Sequence, residues 1–314
     1  MQRFIEPKTL ARIKDLPLVA KTVAEGFLHG LQPSMQRGVG IEFSQYRGYE
    51  VGDELSRIDW KLFARSDRYF VREAERESEI NIWFLLDVSS SMLQSSQPDE
   101  KSNKNPAWNK LEYAKHLIAS LAYLANKQGD TFAYLSLSDQ SQTDPSKTTV
   151  QQSFLPVGNG KRHWQKLLIS LSQTKPGTFF PHLRLLQSHI ERLQKPSIIF
   201  VVSDFNQKEN EITDFLGKLN TSVSEVVALQ LTCDDEISFN YSGAVRFKDL
   251  ESEQEILISA SGAKQDYLRS YHAYQNDLSK KLAEKDIHAS QFNIDQPLDK
   301  ILFEYIRQRN RVAK

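Results

Sequence analysis

Ile80-Asn-Ile-Trp-Phe-Leu-Leu-Asp87-Val-Ser-Ser-Ser91 is the stretch on which the fold turns. From Ile80 to Leu86 it is apolar at every position but Asn81, and it does not alternate. A strand with one wet face alternates. A strand covered on both faces runs apolar without a break, as in a parallel sheet enclosed by helices. Ser197-Ile-Ile-Phe-Val-Val-Ser203-Asp204 repeats the pattern and also stops at a carboxylate. Between and beyond these runs lie stripes at helical spacing. Leu111, Ala114, Leu117, Ile118, Leu121, Ala122 and Ala125 predict a helix closed by Gly129-Asp130. Further helices are expected over 164–171, 183–193, 212–219, 267–282 and 298–309, and strands over 131–137, 150–155, 224–231 and 288–294. Ala244 to Phe247 and Glu255 to Ile258 flank a charged turn and predict a hairpin. Strands alternating with helices make an α/β fold, a mostly parallel sheet with helices on both faces.

The first 79 residues have a different texture. Leu10, Ile13, Leu16, Val19, Val23 and Phe27 form a helical stripe interrupted by Pro17, and the glycine pairs in 37–53 predict turns around short extended pieces. The expected organisation is an N-terminal segment, 1–79, and an α/β domain, 80–314, with the hairpin inserted over 243–260.

Of the 314 residues, 39% are hydrophobic and 25% charged, which is ordinary globular composition. Lys+Arg and Asp+Glu both number 40, so no whole-chain field draws the protein to nucleic acid or an anionic membrane. The single cysteine, Cys233, rules out an internal disulfide and, at the end of an apolar run, is expected to be buried and inert. The apolar runs are too short to span a bilayer and no signal-peptide segment is evident, which leads to the expectation of a cytoplasmic chain with no membrane span.

In an open parallel sheet, ligands bind beyond the carboxyl ends of the strands. Asp87 and Asp204 both end strands, so two carboxylates are expected on one edge. Ser89 and Ser91 follow Asp87 in the turn. Hard cations such as Mg2+ take oxygen ligands and keep several waters, so such a set leaves a divalent ion nearly neutralised but with an open position. The competing reading is local: Asp87 and the serines bonding their own turn, and Asp204 capping the next helix.

The motif Asp87-Val-Ser-Ser-Ser91, with Thr178 after Gly177 and Ser203-Asp204, resembles the metal-ion-dependent adhesion site of von Willebrand factor A domains. Upstream, Arg37-x-x-Gly-x-Glu-Phe-x-x-x-Arg-x-Tyr-x-x-Gly-Asp53, Arg57-x-Asp59-Trp60, Ala64-Arg65 and Val71-Arg-Glu73, and downstream Arg246-x-x-Asp-Leu-Glu251, are similar to the bacterial family called domain of unknown function 58. The resemblance implies a von Willebrand factor A-like fold with an added hairpin. It also implies Mg2+ or Mn2+ held by Asp87, Ser89, Ser91, Thr178 and Asp204. It implies non-enzymatic work with a MoxR-type AAA+ ATPase or a client protein in chaperone-like maturation. The chain departs from many A domains by carrying Phe205, where they have glycine, which adds bulk near the rim. The alternatives are a metal-dependent hydrolase using the same carboxylates and a metal-free scaffold.

Other signals are weaker. Arg47, Asp53, Arg57, Asp59, Trp60, Lys61 and Arg65 read as an internal ion-pair network before a docking surface. Gly158-Asn-Gly-Lys-Arg162 lacks phosphate-loop spacing and reads as a loop. His163, His182 and His189 have no metal-ligand spacing, and Tyr267, Tyr271 and Tyr274 form a helical stripe that reads as core.

Overall fold

A computed structural model of the chain describes residues 16–17, 20–21, 23–24, 46–48, 62–63, 65, 68–72, 81–95, 109–137, 153–177, 179–181, 186, 193, 196–207, 210–248 and 254–312. The chain divides into two compact units, Met1–Leu28 with Ile80–Lys314, and His29–Glu79. In the smaller unit β1 (Tyr46–Gly48) pairs antiparallel with β2 (Phe70–Arg72). Of the charged cluster, Arg47 lies in β1 and Arg65 is exposed; Asp53, Arg57, Asp59, Trp60 and Lys61 lie outside the described residues.

The larger unit is built on a six-stranded sheet. Its strands are β3 (Asn81–Asp87), β4 (Thr131–Leu137), β5 (Phe154–Gly158), β6 (Ser197–Ser203), β7 (Ser224–Thr232) and, after a separate hairpin of β8 (Ala244–Lys248) and β9 (Glu255–Ser259), β10 (His288–Asn293). The order is β10-β7-β6-β3-β4-β5, parallel throughout except for antiparallel β5. The chain enters at the centre on β3, winds outward through β4 and β5, then returns to the other side of β3 with β6. That reversal is the switch point at which an open α/β sheet leaves a crevice at its carboxyl edge. This is a mostly parallel, Rossmann-like sheet.

The two decisive apolar runs are the two central strands, in register from Asn81↔Ser197 to Leu86↔Val202. Phe84, Leu85, Leu86, Val201 and Val202 are fully buried, and each such side chain contributes roughly 1.5–3 kcal/mol. The helices are α1 (Lys110–Gln128), α2 (Gly160–Gln173), α3 (Glu211–Leu219), the short α4 (Asp234–Ser238), α5 (Ala260–Glu284) and α6 (Leu298–Val312). Helix α1 begins at Asn109, whose side chain accepts the Glu112 N–H at 2.7 Å. It stops at Gly129, which takes the left-handed φ of 86°. Only fragments of the helix expected over 183–193 are described, including helical Leu186. Pro17, expected to interrupt the N-terminal stripe, is itself helical.

The third strand differs from expectation in place and direction. The strand expected over 150–155 is observed as Phe154–Gly158, antiparallel to β4. An edge strand pairs on one side only, so it tolerates Pro156 and exposed positions and carries a weak apolar signal. The segment expected as a loop over 158–162 turns directly into α2 at Gly160. Gly158 is required there: a Cβ would lie 2.7 Å from His163 Nδ1. His163 packs on Phe132, and its Nε2 is 2.9 Å from the Phe132 carbonyl, a structural role.

Candidate functional site

Asp87 closes β3 and is completely buried. Its Oδ1 accepts the Ser89 N–H at 2.9 Å. Its Oδ2 accepts the Ser203 hydroxyl at 2.6 Å and the Gln207 amide at 3.2 Å. These donors are neutral. Burial, then repulsion from Asp204, pushes the Asp87 carboxyl up from 3.8 to about 6, against the opposing hydrogen bonds of Ser203 and Ser89.

The turn after β3 is a 3-10 helix, Ser90–Leu93, that points its serines in different directions. Ser89 Oγ lies 3.0 Å from Ser91 Oγ, and Ser91 Oγ donates to Asp204 Oδ1 at 3.2 Å. Ser90 turns away and donates to the Gly177 carbonyl at 3.0 Å, while the Gly177 N–H donates to the Val88 carbonyl at 2.6 Å. The loop that carries Thr178 is thereby tied to the Asp87 turn through its neighbour; Thr178 itself lies outside the described residues.

Asp204 follows β6, is almost fully buried and has a different set of partners. Besides Ser91, its Oδ1 accepts the Asn206 N–H at 3.2 Å. Its Oδ2 takes the Asn206 amide at 3.2 Å and the ammonium of Lys110 at 3.2 Å. Lys110 is wholly buried and also donates to Glu236 Oε1 at 2.7 Å and Gln94 Oε1 at 3.1 Å. Three donors meet three acceptors. Burial alone depresses the ammonium, but Asp204 and Glu236 together more than offset it, and Lys110 titrates above its ordinary value. Glu236 is anchored in turn, its Oε2 accepting the Cys233 N–H at 3.1 Å in a capping box at the start of α4. Cys233 is buried, as expected, and burial pushes its thiol up to about 12.

The structure thus brings Asp87, Ser89, Ser91 and Asp204 together at one sheet edge. The local reading is present as well: Asp87 and Asp204 each bond a backbone N–H two residues on. The local bonds leave Asp87 Oδ2 to Ser203 and Gln207, and Asp204 Oδ1 still accepts from Ser91 beside its local bond. Phe205 adds no bulk at the rim. Its φ of 60° is left-handed, the conformation that favours glycine at this point, and its ring is buried in the core beneath the sheet edge. The Phe205 N–H donates to Ser203 Oγ at 2.9 Å, and its carbonyl accepts the Tyr274 hydroxyl.

Sequence reading missed Lys110, Glu236, Asn206 and Gln207. Lys110 opens a helix and Glu236 sits in an acidic run, so both look like solvated charges. Among the described residues no group of three or more His, Cys, Asp and Glu is placed to hold a metal; the set here is two carboxylates with hydroxyls. Tyr267, Tyr271 and Tyr274 are half-buried on α5 rather than core as expected: Tyr274 packs against the core from its margin, and the Tyr267 hydroxyl donates to the Glu236 carbonyl at 3.1 Å.

Solved structures of low sequence identity share features with this chain. BatB from Bacteroides thetaiotaomicron is 13% identical, with 74% of this chain and 99% of that chain covered and a TM-score of 0.41. An aerotolerance-related membrane protein from Bacteroides fragilis is 15% identical, with 73% and 99% covered and a TM-score of 0.38. A von Willebrand factor type A protein from Catenulispora acidiphila is 12% identical, with 62% and 43% covered and a TM-score of 0.34. The cytoplasmic expectation is corrected by these neighbours. It rested on short apolar runs and the lack of an evident signal-peptide segment, and an aerotolerance-related membrane protein stands among the neighbours. What holds is that, among the described residues, no helix is long and apolar enough to cross a membrane.

Curated relatives are uncharacterized proteins of Mycobacterium tuberculosis and Mycobacterium bovis, each 23% identical over 288 residues, 88% of this chain and 82% of the relative. The model of the family described as protein of unknown function DUF58 matches residues 45–279, most of both units. The chain belongs to the DUF58 family.

Proposed function

We propose that this chain is a non-enzymatic protein-interaction module that holds Mg2+ or Mn2+ on Asp87, Ser89 and Ser91, with Thr178 and Asp204 direct or through water. A Glu or Asp of a partner protein supplies the remaining ligand. The observation that carries this reading is the state of Asp87: a fully buried carboxylate whose described partners are neutral donors, raised to about 6 by burial and by a second carboxylate. A divalent cation relieves that charge, and hard oxygen donors are the set it prefers. The bound ion supplies positive charge that a carboxylate from outside can satisfy. The partner proposed from the family resemblance is a MoxR-type AAA+ ATPase, acting with this chain in chaperone-like maturation of client proteins.

The test is calorimetric titration of Mg2+ and Mn2+ into the wild type and Asp87→Ala. Binding is expected in the first and lost in the second, with circular dichroism unchanged. Equal Mg2+ binding by both proteins removes the reading. Capture of a purified MoxR-type ATPase is expected to be abolished by EDTA and by Asp87→Ala.

A further inference from the structure

Lys110 is an expensive residue to place where it is. It occupies the first turn of α1, the end of a helix that disfavours positive charge, and its side chain has no exposure. Nothing local requires it there. Its three acceptors come from three separate segments: Gln94 after the 3-10 turn, Asp204 after β6 and Glu236 in α4. Lys110 therefore reaches the crevice between two carboxylates and binds one oxygen of the very Asp204 whose other oxygen faces Ser91. Asp87 receives only neutral donors from the described residues, so the Lys110 ammonium serves two carboxylates, Asp204 and Glu236, and bonds neither oxygen of Asp87.

We infer that Lys110 is an affinity-setting residue of the cation site: a permanent internal counter-charge that holds Asp204 Oδ2 and weakens divalent-cation binding, with Glu236 moderating its effect. This rests on the metal-binding reading above. Two consequences follow from charge alone. Replacing Lys110 by a neutral side chain leaves Asp204 and Glu236 uncompensated, so the crevice attracts a dication more strongly. Neutralising Glu236 leaves the whole ammonium charge to Asp204, so the crevice attracts a dication less. A lysine that only ties three segments together predicts no tightening in either variant. The opposite signs separate a role in cation binding from a purely structural one, because loss of packing weakens binding in both variants.

The experiment is Mn2+ titration of the full chain, read as free Mn2+ by electron paramagnetic resonance, for wild type, Lys110→Gln, Lys110→Met and Glu236→Gln. Thermal unfolding is followed in parallel in EDTA and in Mn2+. Lys110→Met is expected to bind Mn2+ at least ~10-fold more tightly and Glu236→Gln a few-fold more weakly. The Mn2+-induced rise in Tm is expected to be larger for Lys110→Met than for wild type. Lys110→Gln, whose amide still donates to Asp204, shows the same tightening if Lys110→Met does not fold without metal. Wild type and a folded Lys110→Gln with equal Mn2+ affinity overturn the role of Lys110 alone. A wild type that binds no Mn2+ overturns the cation site itself, and with it this inference.

Discussion

Asp87 and Asp204 end neighbouring parallel strands at the same edge of one sheet, and the protein treats them in opposite ways. Asp204 is met by a buried ammonium, a backbone N–H and a side-chain amide. Asp87 is met by a backbone N–H, a hydroxyl and an amide, and its carboxyl rises to about 6. Two buried carboxylates so close cannot both be held by neutral groups without penalty, and among the described residues the Lys110 ammonium bonds only one of them. The difference teaches that burial by itself does not distinguish the two carboxylates; among the described residues, the charge of their donors does.

The comparison predicts opposite responses to removing each charge in metal-free protein. The largest effect is expected for Asp204→Ala, which leaves Lys110 with Glu236 as its only carboxylate; urea unfolding in EDTA should show a loss of about 4 kcal/mol. A loss below about 1 kcal/mol would show that Lys110 and Glu236 suffice as a pair and would erase the contrast.

Asp87→Asn is expected to do the reverse and stabilise the metal-free protein at pH 7.5, by about 2 kcal/mol. The sign follows from linkage. The folded carboxyl titrates near 6 and the unfolded one near 3.8, so between these values the folded state holds the extra proton. The contribution is fully present below 3.8 and is lost as pH rises through about 6. In EDTA the wild type should therefore lose stability relative to Asp87→Asn between pH 4 and pH 6.5, with parallel curves above that range. Equal slopes throughout would mean that Asp87 has its counter-charge after all.

The smallest effect is expected for Ser90→Ala. It removes the bond from the Asp87 turn to the Gly177 carbonyl, and about 1 kcal/mol of stability with it. Because Ser90 touches neither carboxylate, the pH dependence should remain that of the wild type, and this sharpens the contrast by showing what a tie outside it does.

The same contrast separates what could be read from the chain from what could not. Strands β3 and β6 were legible because residues covered on both faces must be apolar without alternation, and the carboxylates closing them were legible because each breaks such a run. Lys110 was not. Its burial depends on acceptors 94 and 126 residues away, and a lysine at a helix start is indistinguishable in sequence from one in solvent. Glu236 was hidden in the same way, within Asp234-Asp-Glu236, where it is the member that turns inward to cap α4. Strand β5 was misplaced because a strand with one neighbour need not satisfy a buried pattern, and its register is set by β4. The left-handed Phe205 follows the same rule: the core that takes its ring, not the local sequence, selects a conformation that glycine would adopt freely.

Strand β3 is laddered on both sides, to β4 and to β6, while β5 and β10 each have a single neighbour in this sheet. Fraying at either margin therefore has to cross an intact ladder before it reaches Asp87. Amides from Phe84 to Leu86 should exchange with deuterium only when the whole unit opens, so Asp87 keeps its place while the outer strands breathe.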